Sequence, residues 1–348
     1  VLSDLDLFAA DCRAPMLGIT GSNGKSTVTT MVGAMLAAGG WPVAVGANLG
    51  TPALDLLDAT VQAYVLELSS FQLERSAPLA LKAAVVLNVA PDHLDKHGSM
   101  AAYAAAKARI YARCEVAVLN RDEPALAAMV PPGTRIIGFG LGRPAGADFG
   151  LVDSQGSEWL AQGERLLLPV ADLGTTGRHN VANALAALAL VAVAGGPPDT
   201  AAVLRSFHGL PHRMQVVARA RGITWIDDSK ATNVAAAVTA IRGVDGPLVL
   251  IAGGDAKGQE FAELAAALQG RDAAVILIGQ DRARMAQELR GTAAVELADT
   301  LPGAVRRASE LAPAGATVLL APACSSLDMF RNFQHRGQVF AAAAPEVA

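Results

Sequence analysis

Apolar positions along the chain fall into short runs that alternate with longer stretches repeating at helical spacing. The run MLGIT, residues 16–20, ends in the small-residue turn Gly21, Ser22, Asn23 and Gly24. Lys25, Ser26 and Thr27 then open a helical pattern that continues to Leu36. The scheme repeats. WPVAVGANLG predicts a strand ending in a loop with Asn48, TPALDLLDA a helix, and AYVLEL a buried strand closed by Glu67. A strand over residues 81–89 runs into a loop with Asp92, His93, Asp95 and His97. SMAAYAAAKARIYARC predicts a helix with Tyr103, Lys107 and Tyr111 on one face. EVAVLNRDEP and TRIIGFG predict two further strands, and residues 145–170 a small antiparallel insertion.

GTTGRHNVANALAALALVAVAGG predicts a long helix whose first turn gathers Arg178, His179, Asn180 and Asn183. Gly and Pro interrupt the periodicity near Gly209, where a domain boundary is expected. Beyond it, two strand-like runs flank a hairpin turn at Arg221 and Gly222, and the second ends in Asp227, Asp228, Ser229 and Lys230 before the helix VAAAVTAIRG. Further apolar runs lead to Asp255 and Lys257, and to Ser325, Ser326 and Asp328. Strands alternating with helices at this spacing predict an α/β chain of two doubly wound, mainly parallel-sheet domains, the first of P-loop ATPase type and the second Rossmann-like. The expected division is a connector over residues 1–14, a central domain over 15–208 and a C-terminal domain over 209–348.

The turn at residues 21–24 gives the first chemical reading. Glycines let backbone N–H groups close around phosphate oxygens, a helix N-terminus adds its positive dipole end, Lys25 can reach terminal phosphates, and Ser26 or Thr27 can ligate Mg²⁺. The generic P-loop has glycine where Ile19 stands, so the loop is a variant; a tightly packed turn with Lys25 in solvent is the alternative. Glu67, closing a strand beside that loop, stands where a Mg²⁺ ligand is needed, or else is satisfied by Ser69 or Ser70. The loop with His93 and His97 suits a second metal, a substrate or plain solvation, and pattern alone does not choose. A lone Lys107 in an alanine-rich helix reads as a surface cation, and Asn180 as a helix cap. All reactive-looking residues of both halves follow strands, where open α/β sheets form their ligand crevice. Two such rims facing across a hinge at residues 209–213 predict a transferase or ligase that closes to exclude water.

Composition narrows the class. Of 348 residues, 52% are apolar and only 17% charged, which describes a folded chain and not a disordered one. A net charge of −4 gives no electrostatic case for nucleic acid or an anionic membrane surface. The most apolar helix, residues 184–194, is shorter than the ~20 residues that span a bilayer. Cys12, Cys114 and Cys324 lie far apart with no CxxC, which argues for a reducing compartment. No secretory leader opens the sequence, so a cytoplasmic protein is expected, and a monomer.

Nine ordered segments, TGSNGKST, VLELSSFQLE, NVAPDHLD, AAKARIY, GRHNVANALAALA, LPHRM, IDDSKATN, GGDAKG and PACSSLDMFRNF, resemble the Mur ligases, the last three most closely the branch that adds D-glutamate. The variant P-loop is that family's own form. The resemblance implies transfer of the ATP γ-phosphate to the carboxylate of UDP-N-acetylmuramoyl-L-alanine, then attack by the amine of D-glutamate on the acyl phosphate. It implies that Gly21, Ser22, Asn23, Gly24 and Lys25 hold phosphates, that Ser26, Thr27 and Glu67 serve one Mg²⁺, and that His93 and a carbamylated Lys107 serve a second. Asn180, Asn183 and Arg213 would meet ATP, with Asp228 on its ribose; Asn48 and Lys230 would meet the nucleotide-sugar. Thr232, Lys257, Ser326, Leu327 and Phe333 would hold D-glutamate. The family's N-terminal domain, which grips uridine diphosphate, is expected to precede residue 1, and the chain alone is expected to turn over poorly for want of that remote binding energy. Another amino-acid ligase of the same architecture, for a different Mur substrate or for folate, is the neighbouring alternative; a noncatalytic nucleotide-binding protein is the more distant one.

Overall fold

The computed structural model describes residues 2–197 and 200–347, the side chains up to 344. The chain forms two compact units: one runs to Ala90 and resumes over His97–His208; the other combines Pro91–Lys96 with the chain from Gly209 onward.

In the first unit nine strands form one sheet: β1 Met16–Thr20, β2 Val43–Ala47, β3 Ala63–Glu67, β4 Ala83–Val86, β5 Val116–Asn120, β6 Arg135–Phe139, β7 Phe149–Ser154, β8 Ser157–Gln162 and β9 Arg165–Pro169. Their order is β2-β3-β1-β4-β5-β6-β7-β8-β9. Pairing is parallel as far as β7, and β7 to β9 form the antiparallel piece expected over residues 145–170, here an extension of the sheet edge. The inner strands are continuously apolar because both faces are covered. Leu17, Ile19, Val65 and Val85 pack with the helices Lys25–Ala38 and Arg178–Ala194. Tyr64, Leu66, Ala84 and Val86 face the other way, with Ile110 and Tyr111.

The segment expected to be a connector contains a helix, Asp4–Asp11, started by a capping box between Ser3 and Asp6. It buries Leu5 and Phe8, the latter edge-on to Tyr64 at 5.0 Å. TPALDLLDA is not the expected helix but a single 3₁₀ turn, Leu54–Leu56. Asp58 Oδ1 accepts from both the N–H and the hydroxyl of Thr60, a local turn that competes with helical bonding. β4 is also shorter than expected: Asn88 to Ala90 leave the sheet and bond to the loop after β1 instead.

The second unit holds β10 Gln215–Ala220, β11 Ile223–Asp227, β12 Leu248–Gly253, β13 Ala273–Ile278, β14 Ala294–Leu297 and β15 Thr317–Leu320. Their order is β10-β11-β15-β12-β13-β14, parallel except for the β10-β11 hairpin. That hairpin turns at Arg221 (φ 52°) and Gly222 (φ 75°), the positive pair a two-residue turn of matching twist requires. Helices Val234–Arg242 and Leu301–Leu311 lie on opposite faces, in separate apolar clusters. This is the expected fold class. No described helix is long and apolar enough to cross a membrane.

Candidate functional site

The loop after β1 is the one expected to hold phosphates. Gly24 takes φ 81° at the start of helix Lys25–Ala38, and a Cβ there would lie 2.6 Å from Asn183 Oδ1, so only glycine lets the loop pass beneath that side chain. The loop is braced from behind. Asn23 N–H donates to Asn88 Oδ1 at 2.8 Å, Asn88 Nδ2 returns a bond to Asn23 O at 3.1 Å, and Ala90 N–H donates to Ser22 Oγ at 2.9 Å. The Ser22 hydroxyl donates to Ala90 O, which leaves Tyr103 O–H to donate to Ser22 Oγ at 3.1 Å.

Lys25 is not adrift in solvent. Its Nζ donates to Gly21 O at 2.8 Å and Ser22 O at 2.9 Å, folded against the loop it opens from. Ser26 and Thr27 occupy the first helical turn, both buried. Asn180 is not the cap of its helix. Gly177 holds that position; Asn180 donates from Nδ2 to Thr176 O and accepts from Asn183 Nδ2 at 3.3 Å, which links it to the residue above Gly24.

Glu67 ends β3 beside β1, opposite Ile19 in the register. It is 2% exposed. Its partner is Asn48 and not Ser69 or Ser70: Asn48 Nδ2 donates to Oε1 at 2.8 Å, while Ser69 caps the helix Ser70–Arg75 and Ser70 Oγ bonds His97 Nε2 at 3.0 Å. The second oxygen, Oε2, is buried and has no hydrogen-bond partner among the described residues. A carboxylate oxygen in that state calls for a cation. Among the described residues no three His, Cys, Asp or Glu side chains converge. The donor set of one carboxylate and a P-loop hydroxyl fits Mg²⁺, which takes one or two carboxylates and completes its shell with phosphate oxygens and water.

Lys107 is not a surface cation. It is 1% exposed, its Nζ donates to Gly21 O at 2.9 Å, and it stands 4.5 Å from the centroid of the Tyr103 ring. Tyr111, also buried, accepts from Val86 N–H and donates to Val118 O, so it serves the sheet. The histidines of the loop part company. His97 is buried, stacked on Phe71 at 5.0 Å, and structural. His93, at φ 54°, belongs with the second unit; its N–H bonds Asp92 Oδ1, and Asp92 Oδ2 accepts from Asn233 Nδ2.

In the second unit Asp228, Lys230, Thr232, Lys257, Ser326 and Leu327 lie on the loops after three adjacent strands, β11, β15 and β12, whereas Arg213 precedes β10 and His93 lies in the segment Pro91–Lys96. Ser325 and Asp255 exchange backbone bonds of 2.8 and 3.1 Å, joining the loop with Ser326 and Leu327 to the loop with Lys257. Ser326 is buried and Leu327 exposed. Lys257, at φ 50°, donates its N–H to Asp255 Oδ1. Lys230 Nζ lies 4.0 Å from the Phe333 ring centroid, and Thr232 N–H turns back to Lys230 O.

Sequence reasoning missed what holds these loops. Arg336, 1% exposed, donates to Ser229 Oγ, Ser229 O and Cys324 O at 2.9 to 3.2 Å, and Ser229 Oγ donates to Phe333 O at 2.8 Å. Burial pulls the guanidinium down to about 10, against the influence of Cys324, Asp328 and Asp227. His212 and Asp227 hydrogen-bond through Nδ1 and Oδ2 at 2.6 Å, next to Gly337, where a Cβ would overlap the imidazole. No pattern in the sequence marked Arg336.

Asp228 accepts from Met214 N–H, and burial pushes its carboxyl up to about 7, with Arg213 pulling down and Asp227 pushing up. A folded-state value above the ordinary 3.8 means that the folded protein holds the proton longer. Its contribution to stability is full below pH ~4 and falls as pH rises toward ~7, by about 4 kcal/mol. The Asp228→Asn variant loses that decline. Denaturant unfolding of both proteins across this window checks it; a pH-independent difference between them would contradict the assignment.

The profile of the Mur ligase middle domain matches residues 19–191, and that of the Mur ligase glutamate ligase domain residues 212–324. The chain is 50% identical to the UDP-N-acetylmuramoylalanine–D-glutamate ligase of Methylobacillus flagellatus, over 100% of this chain and 78% of the relative. It is 48% identical to the ligase of that name in Pseudomonas aeruginosa, over 100% and 79%. Among solved structures, it is similar in fold to the MurF ligase of Thermotoga maritima in complex with ADP (TM-score 0.73, 20% identity, 100% and 86% covered). E. coli FolC in complex with DHPP and ADP is likewise similar (TM-score 0.74, 17% identity, 100% and 94% covered).

Proposed function

The chain belongs to the Mur ligase family, and we propose that within it this protein is an ATP-dependent ligase that forms the amide between UDP-N-acetylmuramoyl-L-alanine and D-glutamate, a step of peptidoglycan precursor synthesis in the cytoplasm. The single observation that carries the reading is Glu67, held by Asn48 at one oxygen and unpartnered at the other, at the strand end beside the P-loop.

In the first unit, Gly21 to Gly24 and Lys25 would hold the phosphates of ATP, with Asn180 and Asn183 against the nucleotide. Ser26 or Thr27 and Glu67 would hold Mg²⁺, which when bound offsets charge on the phosphoryl oxygens. His93 and Lys107, the latter as its carbamate, are the residues for a second ion. Arg213 and Asp228 would serve the nucleotide, and Lys230 and Asn48 the nucleotide-sugar. Thr232, Lys257, Ser326, Leu327 and Phe333 would hold D-glutamate; a dianionic amino acid needs a fixed cation and converging donors.

The chemistry requires activation because a carboxylate at neutral pH is a poor electrophile. Its oxygen takes the γ-phosphoryl group, ADP leaves, and the acyl phosphate then presents phosphate as a leaving group to the incoming amine. Lys25, whose Nζ is held by the carbonyls of Gly21 and Ser22, would turn to the transferring phosphoryl group, and the N–H groups of the loop would add donors there. The test is isotopic. With oxygen-18 in the substrate carboxylate, one labelled oxygen should appear in the released phosphate. Label retained wholly in the peptide product would overturn the acyl-phosphate route.

A further inference from the structure

Thr20 is fully buried at the end of β1, and its Oγ1 has no hydrogen-bond partner among the described residues. A buried hydroxyl in that state is destabilising, and valine would fill the same shape without it. What Thr20 faces follows from the strand. Successive β1 residues point to opposite sides, with Leu17 and Ile19 in the cluster of the Lys25–Ala38 helix and Met16 in the cluster of Ile110 and Tyr111. A Cβ on Gly18 would lie 3.2 Å from Ile110 Cδ1. Thr20 shares that side one step further along the strand, and one helical turn before Ile110 is Lys107. Lys107 in turn donates to the carbonyl of Gly21, the residue after Thr20. An unpartnered hydroxyl and a buried lysine therefore share one closed layer behind the phosphate loop.

We propose that the Thr20 hydroxyl is the donor that holds a carbamate formed on Lys107, a positioning role. The inference rests on the reading of Lys107 as a carbamylated residue. The reaction needs carbon dioxide as co-reactant. The Lys107 ammonium gives up one proton; the amine lone pair forms an N–C bond to carbon dioxide, one C=O π pair moves onto oxygen, and a second proton leaves nitrogen for solvent. The product keeps one N–H, which can go on donating to Gly21 O, and gains two acceptor oxygens where the ammonium had only donors. Thr20 O–H then has an anionic acceptor, the stronger class of hydrogen bond. The modification thus supplies the Thr20 hydroxyl with the acceptor it otherwise lacks among the described residues.

Carbon-13 NMR of the purified protein in labelled bicarbonate with Mg²⁺ reads the carbamate without reference to turnover. The wild-type protein should show a carbamate resonance that Lys107→Arg lacks. Thr20→Val should lower its occupancy at fixed bicarbonate by about tenfold, while Tm stays the same or rises; Thr20→Ser should keep the signal. A full signal in Thr20→Val overturns the proposal. A wild-type protein with no carbamate resonance overturns the Lys107 reading itself, and the role of Thr20 with it, so the two failures are told apart.

Discussion

Glu67→Gln should give a protein at least as stable as the parent whose ATP-dependent turnover has fallen by about 10³-fold or more. The change keeps the shape and removes the charge. Asn48 Nδ2 retains an acceptor at the position of Oε1, so the link between the loop after β2 and the end of β3 survives. The other oxygen, unpartnered as a carboxylate, becomes an uncharged amide nitrogen, which costs less to bury than an uncompensated charge. Stability and activity move in opposite directions, as expected where a residue is kept for a ligand and not for the fold. Thermal unfolding without ligand, set beside phosphate release, reads both. A variant with lower Tm and ordinary turnover would show that Glu67 serves the fold alone.

Arg336→Met is the second large effect, and here stability falls. The guanidinium satisfies the carbonyls of Ser229 and Cys324 and the hydroxyl of Ser229, all in a buried space. Methionine fills much of the volume and none of the hydrogen bonds. Stranding two carbonyls and a hydroxyl destabilises by about 3 to 5 kcal/mol in all, at about 1 to 3 for each buried group left unsatisfied. The loops after β11 and β15 and the start of the helix from Phe333 lose their common anchor, so the KM for D-glutamate should rise more than the KM for ATP. Arg336→Lys should recover little, because one ammonium cannot serve both loops. Denaturant unfolding with the two KM values is the check. An Arg336→Met protein of parental stability would contradict the anchoring role.

The fold was largely legible because its strands are buried on both faces and so read as unbroken apolar runs, from MLGIT to TVLL. Periodicity failed where a side chain outcompeted it: Asp58 turned TPALDLLDA away from a helix, and Asn88 drew the end of β4 into the phosphate loop. The strand, loop and helix of residues 16–38 were legible for a local reason, since apolar run, small-residue turn and helical pattern are adjacent in sequence. Partnerships across the sheet were not. Asn48 and Glu67 meet because Ala47 sits opposite Glu67 in the β2-β3 register, which no spacing reveals. Lys107 looked like a surface cation and is interior, and His97, whose role the pattern left open, has a buried side chain, since nothing in an alanine-rich helix or a polar loop announces which side the rest of the chain will cover. Arg336 was invisible for the same reason. The resemblance to the Mur ligases supplied roles that spacing alone did not.

The central claim is that phosphate is released because an activated carboxylate meets the amine of one particular amino acid. Phosphate release from ATP with Mg²⁺ and UDP-N-acetylmuramoyl-L-alanine, compared across D-glutamate, L-glutamate, L-alanine and a diamino acid, tests it directly. The account predicts release that depends on D-glutamate and is weak with the other three. Release that prefers another acceptor, or that proceeds equally with no amino acid present, would contradict it.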